Sequence, residues 1–340
     1  MSWRYGRWSA DHALPLGVTD RREVGATVNA GEVIAEGVVP GGAVRVAGAR
    51  RLAIGAHDMG RVMRVAVGGE VARGAILART GRRFARVVKS PLDGRVLHVT
   101  DDGDVYVAPV AGRWAVRATV DGEVVRTDDA CVTVEGEAWC LGGVAAFGPD
   151  AVGELALAVE GGADELAPSR IDVRLGGRIL VGGARIAAEA VTRAHACGVA
   201  ALVAGAAPAA GLRLVFGDAA TASGAPSREG LPTVLCLVGF GASPLPPSIF
   251  DALRALAGSR AAIHTGTARL FVFAAPDAAA IPETDSPLAI AADYGSVRPF
   301  AGACVAADEV RFPSEVTAPA VRCDGELYPA ANVLPFGVAR

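Results

Sequence analysis

One twelve-residue phrase occurs twice in this chain and constrains its fold more than any other feature. Residues 24–35 read V-G-A-T-V-N-A-G-E-V-I-A and residues 67–78 read V-G-G-E-V-A-R-G-A-I-L-A; both fit V-G-x-x-V-x-x-G-x-[VI]-[IL]-A. The pattern predicts a hairpin in each copy. Its glycines supply positive φ in tight turns, and its β-branched residues face a core. A lone hairpin cannot bury its apolar side, so the two copies are expected to pack face to face around one shared core, as a sandwich.

The second copy sits in the stretch Arg61–His98, where short apolar runs alternate with turn residues: Gly68-Gly69, Val71, Gly74, Ile76-Leu77-Ala78, Val87-Val88, Ser90-Pro91 and Asp93-Gly94-Arg95-Val96. The order V-x-x-G-x-x-[IL] followed by S-P-x-D-G-x-V resembles the barrel-sandwich hybrid fold of biotinyl and lipoyl carrier domains and their unmodified relatives. The resemblance covers Leu16 to Pro109. It implies a small β-sandwich and, in a carrier, a lysine at the tip of the central hairpin. Here that loop reads Thr80-Gly81-Arg82-Arg83-Phe84, and the only lysine of the chain, Lys89, lies on the expected return strand. The resemblance therefore implies an unmodified scaffold version, with no cofactor.

With 340 residues the chain has room for two or three domains. A formal net charge of −3 and a pI near 6.0 argue against a general nucleic-acid binder, and 5% aromatics give little for base stacking. Cys131, Cys140, Cys197, Cys236, Cys304 and Cys323 form no CxxC pair and read as buried thiols in a reducing compartment. The first residues hold no apolar core of a signal peptide. The longest uncharged run, Leu231–Phe250, is broken by Pro and Gly. A soluble, cytoplasmic protein without membrane insertion is expected.

Taken in order, residues 1–15 form an aromatic and basic arm, with Trp3, Tyr5 and Trp8 among Arg4 and Arg7. It is expected to dock on its own domain or on a neighbouring subunit, a nucleic-acid arm being the alternative. Residues 16–110 form the barrel-sandwich module. Residues 111–170 extend it with strands separated by Asp121-Gly122 and Asp128-Asp129. The pattern changes in 171–275: a strand at 178–181, Gly182-Gly183, a helix from Ala184 to Cys197 stopped by Gly198, and a strand at 199–204 make a β-α-β unit. A strand at 231–238, a helix at 248–257 capped by Ser248, and strands at 261–264 and 270–273 complete an α/β domain. Its first half also resembles the protease-associated domain. After an Ala/Pro linker, residues 288–340 resemble a small SH3-like barrel of the KOW or Tudor type. The fold class is thus mainly β with an α/β domain: barrel-sandwich hybrid, β-α-β open sheet, then SH3-like β-barrel.

Candidate sites are few. At Gly182-Gly183 the free N–H groups of a following helix would suit an anion, with Arg185 adding charge; the alternative is a tight turn that packs helix on sheet. Gly239-Phe240-Gly241 would lie at the same end of a parallel sheet, with Ser243 and the following prolines over the turn. Arg79, Arg82, Arg83 and Arg86 make a basic hairpin tip suited to an acidic partner or RNA phosphate. His195 and Cys197 point to different sides of a helix and make a poor metal pair; His57 and His264 have no visible third partner, and no G-x-S-x-G is present. The leading expectation is a non-enzymatic scaffold or assembly subunit acting through protein–protein contacts or self-association. A small-anion or nucleotide-binding enzyme subunit and a nucleic-acid accessory protein are the alternatives.

Overall fold

The computed structural model describes residues 3–15, 17–81, 85–217 and 230–278, and beyond them six strands between residues 288 and 336. The protein is mainly β. Strand β1 (Trp3–Ala13) runs antiparallel along the whole of the later strand Cys131–Gly142, from Trp3 opposite Leu141 to Ala13 opposite Cys131. The aromatic arm is therefore a sheet strand docked on its own chain. Strands β2 (Val18–Arg21), β3 (Thr27–Val28) and β4 (Val33–Pro40) follow. The next segment holds β5 (Val44–Val46), the short helices α1 (Gly48–Leu52) and α2 (Met59–Val62), β6 (Glu70–Val71), β7 (Ile76–Thr80), β8 (Arg86–Lys89), β9 (Gly94–Val99) and β10 (Val105–Ala108). Then β11 (Val110–Arg117) returns to pair with β4, from Val110 opposite Pro40 to Arg117 opposite Val33. Residues 41–109 are thus an insert in one long hairpin. Strand β12 (Gly122–Thr127) pairs with β3 and with β13 (Cys131–Gly142).

The two copies of the phrase have the same backbone but do not share a core, which corrects the expectation of face-to-face packing. Gly25, Gly31, Gly68 and Gly74 all take positive φ, at 90°, 93°, 83° and 84°. Each copy closes on its own D-G-x-V segment. Gly25 donates to Val124 O at 2.8 Å and Gly68 to Val96 O at 2.7 Å; Gly31 donates to Ala118 O and Gly74 to Ser90 O, both at 2.8 Å. The Asp121 carboxylate accepts the Ala30 N–H at 2.7 Å, and that of Asp93 accepts the Arg73 N–H at 2.8 Å. Val28, Ile34 and Ala35 accordingly pack with Ala118, Val120 and Val124, whereas Val71, Leu77 and Ala78 pack with Val88, Val96, Val105 and Val107. The expected 16–110 unit therefore divides: 44–108 holds one core, and the strands on either side of it build another.

Strands β14 (Ala145–Phe147), β15 (Ala151–Leu157), β16 (Glu165–Leu166), β17 (Ile179–Val181) and β18 (Arg185–Ile186) lead to α3 (Ala188–Ala196), β19 (Ala201–Ala207), α4 (Ala209–Phe216), β20 (Thr233–Phe240), α5 (Pro247–Ala255), β21 (Arg260–His264) and β22 (Arg269–Phe273). The β-α-β unit is present: β15, β17, β19 and β20 are parallel neighbours in chain order. Right-handed crossovers between such neighbours put their helices on one face, and α3 and α4 touch. Helix α3 ends in a Schellman turn, with Gly198 at φ 70° and bonds from Gly198 N to His195 O and Val199 N to Ala194 O, each 3.0 Å.

Three details differ from the sequence reading. Helix α3 starts at Ala188 because Arg185-Ile186 first make a strand; α5 starts at Pro247 behind Pro246, so Ser248 lies inside it; and α4 forms from a short apolar run, Ala209–Phe216, that pattern alone does not separate from a buried strand. Nor does a sheet boundary fall at residue 110 or 170. One thirteen-stranded sheet runs in the order β14-β20-β19-β17-β15-β21-β22-β13-β12-β3, with β1, β16 and β18 off that path. It joins β3, β12 and β13 to the strands of the α/β part, whereas the hairpin strands β4 and β11 form a separate three-stranded sheet with β2. Beyond residue 288, β23 (Leu288–Asp293), β24 (Ser296–Phe300), β25 (Cys304–Arg311), β26 (Thr317–Cys323), β27 (Glu326–Pro329) and β28 (Val333–Phe336) form two antiparallel three-stranded sheets.

Candidate functional site

The Gly182-Gly183 turn is occupied by its own chain. Gly182 donates to Val203 O and Ala184 to Asp164 O, both at 2.7 Å, so these N–H groups do not face a ligand. Gly183 sits at φ 69°, and a Cβ there would run into the Asp164 carbonyl. The turn opens a strand rather than a helix, which removes the helix-terminus charge expected at it. Arg185 is paired with Glu165 at 2.7 Å. The loop after β20 does come close: Gly239 and Phe240 pair with Ala206 and Ala207, Gly241 donates to Ala207 O, and Ser243 donates to Ala184 O at 3.1 Å. The Phe240 ring packs edge-on against Phe147 at 6.2 Å. The two predicted loops thus meet through backbone bonds. The Ser243 hydroxyl is buried there without a hydrogen-bond partner.

The basic hairpin tip is β7–β8. Arg79 and Arg86 lie on its two strands; Arg82 and Arg83 lie outside the described residues. Leu77, Ala78 and Val88 face inward, while Ile76, Arg79, Val87 and Lys89 are exposed. Arg86 reaches back to donate to Leu52 O at 3.3 Å. The ion pairs among the described residues involve none of Arg50, Arg51, Arg79, Arg86 and Lys89.

A third place is absent from the sequence reading. His12 on β1, Asp150 just before β15 and His264 at the end of β21 offer donor atoms within 4.8 Å of one another. They line a cleft of about 400 Å³ together with Asp11, Arg117 and Thr265. Their donor types suit a divalent cation, so the hydrogen bonds decide the matter. The Thr119 N–H donates to His12 Nε2 at 3.1 Å, so that nitrogen is an acceptor and Nδ1 carries the proton toward Val132 O at 3.3 Å. His264 Nε2 must donate to Asp11 O at 3.1 Å, and its Nδ1 accepts from the Thr267 hydroxyl at 2.8 Å. Asp150 Oδ1 takes both the N–H and the hydroxyl of Thr265 at 2.8 Å.

Each imidazole donates one N–H to a backbone carbonyl, as metal-ligating histidines do. Ligation through His12 Nε2, however, would orphan the fully buried Thr119 N–H, a cost of about 1–3 kcal/mol. The cluster is therefore a hydrogen-bonded lock holding β1 against β21 and the segment before β12. Burial, then the neighbouring His264, push the His12 imidazole below its ordinary range, and Asp150 opposes them only in part. Sequence alone could not assemble this group, since 253 residues separate Asp11 from His264. Cys140 and Cys236 are pushed up to about 12 by burial and are poor nucleophiles.

Comparison of the chain with family models, with curated proteins and with solved structures finds no match. Among the described residues no helix is long and apolar enough to cross a membrane.

Proposed function

We propose that this chain is a non-enzymatic assembly subunit that works through protein–protein contacts. One observation carries the reading. A folded segment with its own core, residues 44–108, is mounted on a hairpin whose strands pair directly at its base, Val110 opposite Pro40. Such a mount carries the segment on strands that are not part of the large sheet.

We read the inserted segment and the surrounding hairpin as two barrel-sandwich hybrid units, one nested in the hairpin of the other. In the outer unit the insert takes the place where a carrier domain would present its lysine. In the inner unit Lys89 stands opposite Ile76 on the return strand rather than at the tip. The strands beyond residue 288 are read as the small SH3-like unit, a second docking element. The chemistry at the other candidate sites agrees with this reading. The N–H groups of Gly182 and Ala184 are spent on backbone carbonyls, and both imidazoles of the His12–His264 pair are satisfied internally.

Light scattering on the full chain, purified alone and co-expressed with its chromosomal neighbours, tests the proposal. The expected result is a mass above the 34.4 kDa of one chain, by self-association or with a partner at fixed ratio. A lone 34.4 kDa species in both preparations sinks it.

A further inference from the structure

The inserted segment carries a patterned surface. In β7–β8, Ile76 pairs with Lys89 and Arg79 with Val87. These four side chains share the outward face, opposite the buried Leu77, Ala78 and Val88. The face is thus a checkerboard, with one cation and one aliphatic residue in each row and alternation along each strand. Ile76 and Val87 are 37% and 40% exposed. Helix α1 packs Leu52 against Leu77, Ala78 and Val88 on the inward side of the hairpin, and its Arg50 and Arg51 are exposed. No carboxylate among the described residues pairs with any of these cations, although the chain as a whole is net negative, at −3. Among the described residues this positive charge is therefore local and without a paired carboxylate. No aromatic residue lies among the four side chains of this face, so they offer no platform for stacked bases, while aliphatic residues between cations suit an alternating polypeptide.

We propose that the outward face of β7–β8 docks an acidic protein segment in which Asp or Glu alternates with apolar residues. This rests on the assembly reading and supplies its contact. The partner's carboxylates would meet Arg79 and Lys89, and its apolar residues would cover Ile76 and Val87. Cations at such a face steer association and select register.

The test uses the full chain and fluorescence anisotropy with two labelled peptides of about ten residues, long enough to span a hairpin face. One alternates Glu and Val; the other has the same composition with all Glu before all Val. The alternating peptide is expected to bind about 5-fold more tightly than the block peptide, and binding is expected to weaken as salt rises from about 50 to about 300 mM. Arg79→Glu with Lys89→Glu should cost about 10-fold, the milder Arg79→Gln with Lys89→Gln less, and Ile76→Ser with Val87→Ser should bring the two peptides level. Arg113→Glu, on β11, should change nothing. Equal binding of the two peptides, an equal loss from Arg113→Glu, or tighter binding of single-stranded RNA than of the alternating peptide overturns the proposal. If the peptides fail but light scattering still shows a complex, the face is wrong and the assembly reading stands. A lone monomer that prefers the alternating peptide leaves the face standing without the assembly.

Discussion

The inner copy of the repeated phrase (67–78) and the outer copy (24–35) differ in what they hold together. Locally they match bond for bond: positive-φ glycines at the same two positions, the same two-residue strand, an aspartate accepting the same N–H, and closure on D-G-x-V. The inner copy finds its return segment soon after in the chain, at 90–96. The outer copy meets its own only at 118–124, across the whole insert. The inner copy closes a small self-contained core, whereas the outer copy's core also takes in Ala10 of β1, Cys140 of β13 and Phe271 of β22. Local sequence sets the shape of a ribbon, and the position of its return segment sets what the ribbon supports.

Core truncation should separate the two copies most sharply. Leu77→Ala and Ile34→Ala each remove a fully buried aliphatic side chain and should cost about 2–5 kcal/mol. Hydrogen exchange should show Leu77→Ala loosening 44–108 alone, and Ile34→Ala loosening 110–142 and β1 as well. Faster exchange throughout the large sheet in Leu77→Ala would show that the insert is not an independent unit.

The D-G glycines should behave alike. A Cβ on Gly94 would strike the Ala108 carbonyl and one on Gly122 the Glu135 carbonyl. Gly94→Ala and Gly122→Ala should each cost about 3 kcal/mol in denaturant unfolding. A loss at only one of them would break the equivalence of the copies.

The smallest effect is a dependence on pH confined to the outer part. Folding holds the buried His12 below the ordinary imidazole value of about 6.5. The unfolded chain therefore takes up that proton first as pH falls. Stability from this group is complete above about pH 6.5 and declines below it, towards the depressed folded value. Thermal melts should show the decline in the native chain and its loss in His12→Gln. A native chain equally stable at pH 5.5 and 7.5 would remove the lock.

Much of the architecture was legible in the residues. The repeat located both ribbons, the change of pattern near residue 178 located the parallel strands, and Gly198 marked the end of α3. Helix α4 falls in a short, almost wholly apolar run that reads equally as helix or buried strand, and α3 starts later than expected because Arg185-Ile186 pair with β16. Of the candidate sites, the basic hairpin was visible from its arginines. The checkerboard of Ile76, Arg79, Val87 and Lys89 needed the bulge between Ile76 and Ala78, which puts Ile76 on the outward face. The His12–Asp150–His264 cluster left no trace, since a lone histidine in each of two distant strands carries no spacing.

Residue order by itself determined the turns, the strand-forming runs and the matched pair of ribbons, because these depend on φ preferences and alternation within a dozen residues. Tertiary structure decided which core each ribbon joined, that one sheet spans most of the chain, and that His12 stays neutral. Those outcomes depend on groups brought together from hundreds of residues apart, where burial and hydrogen-bond geometry, rather than local propensity, set the energy.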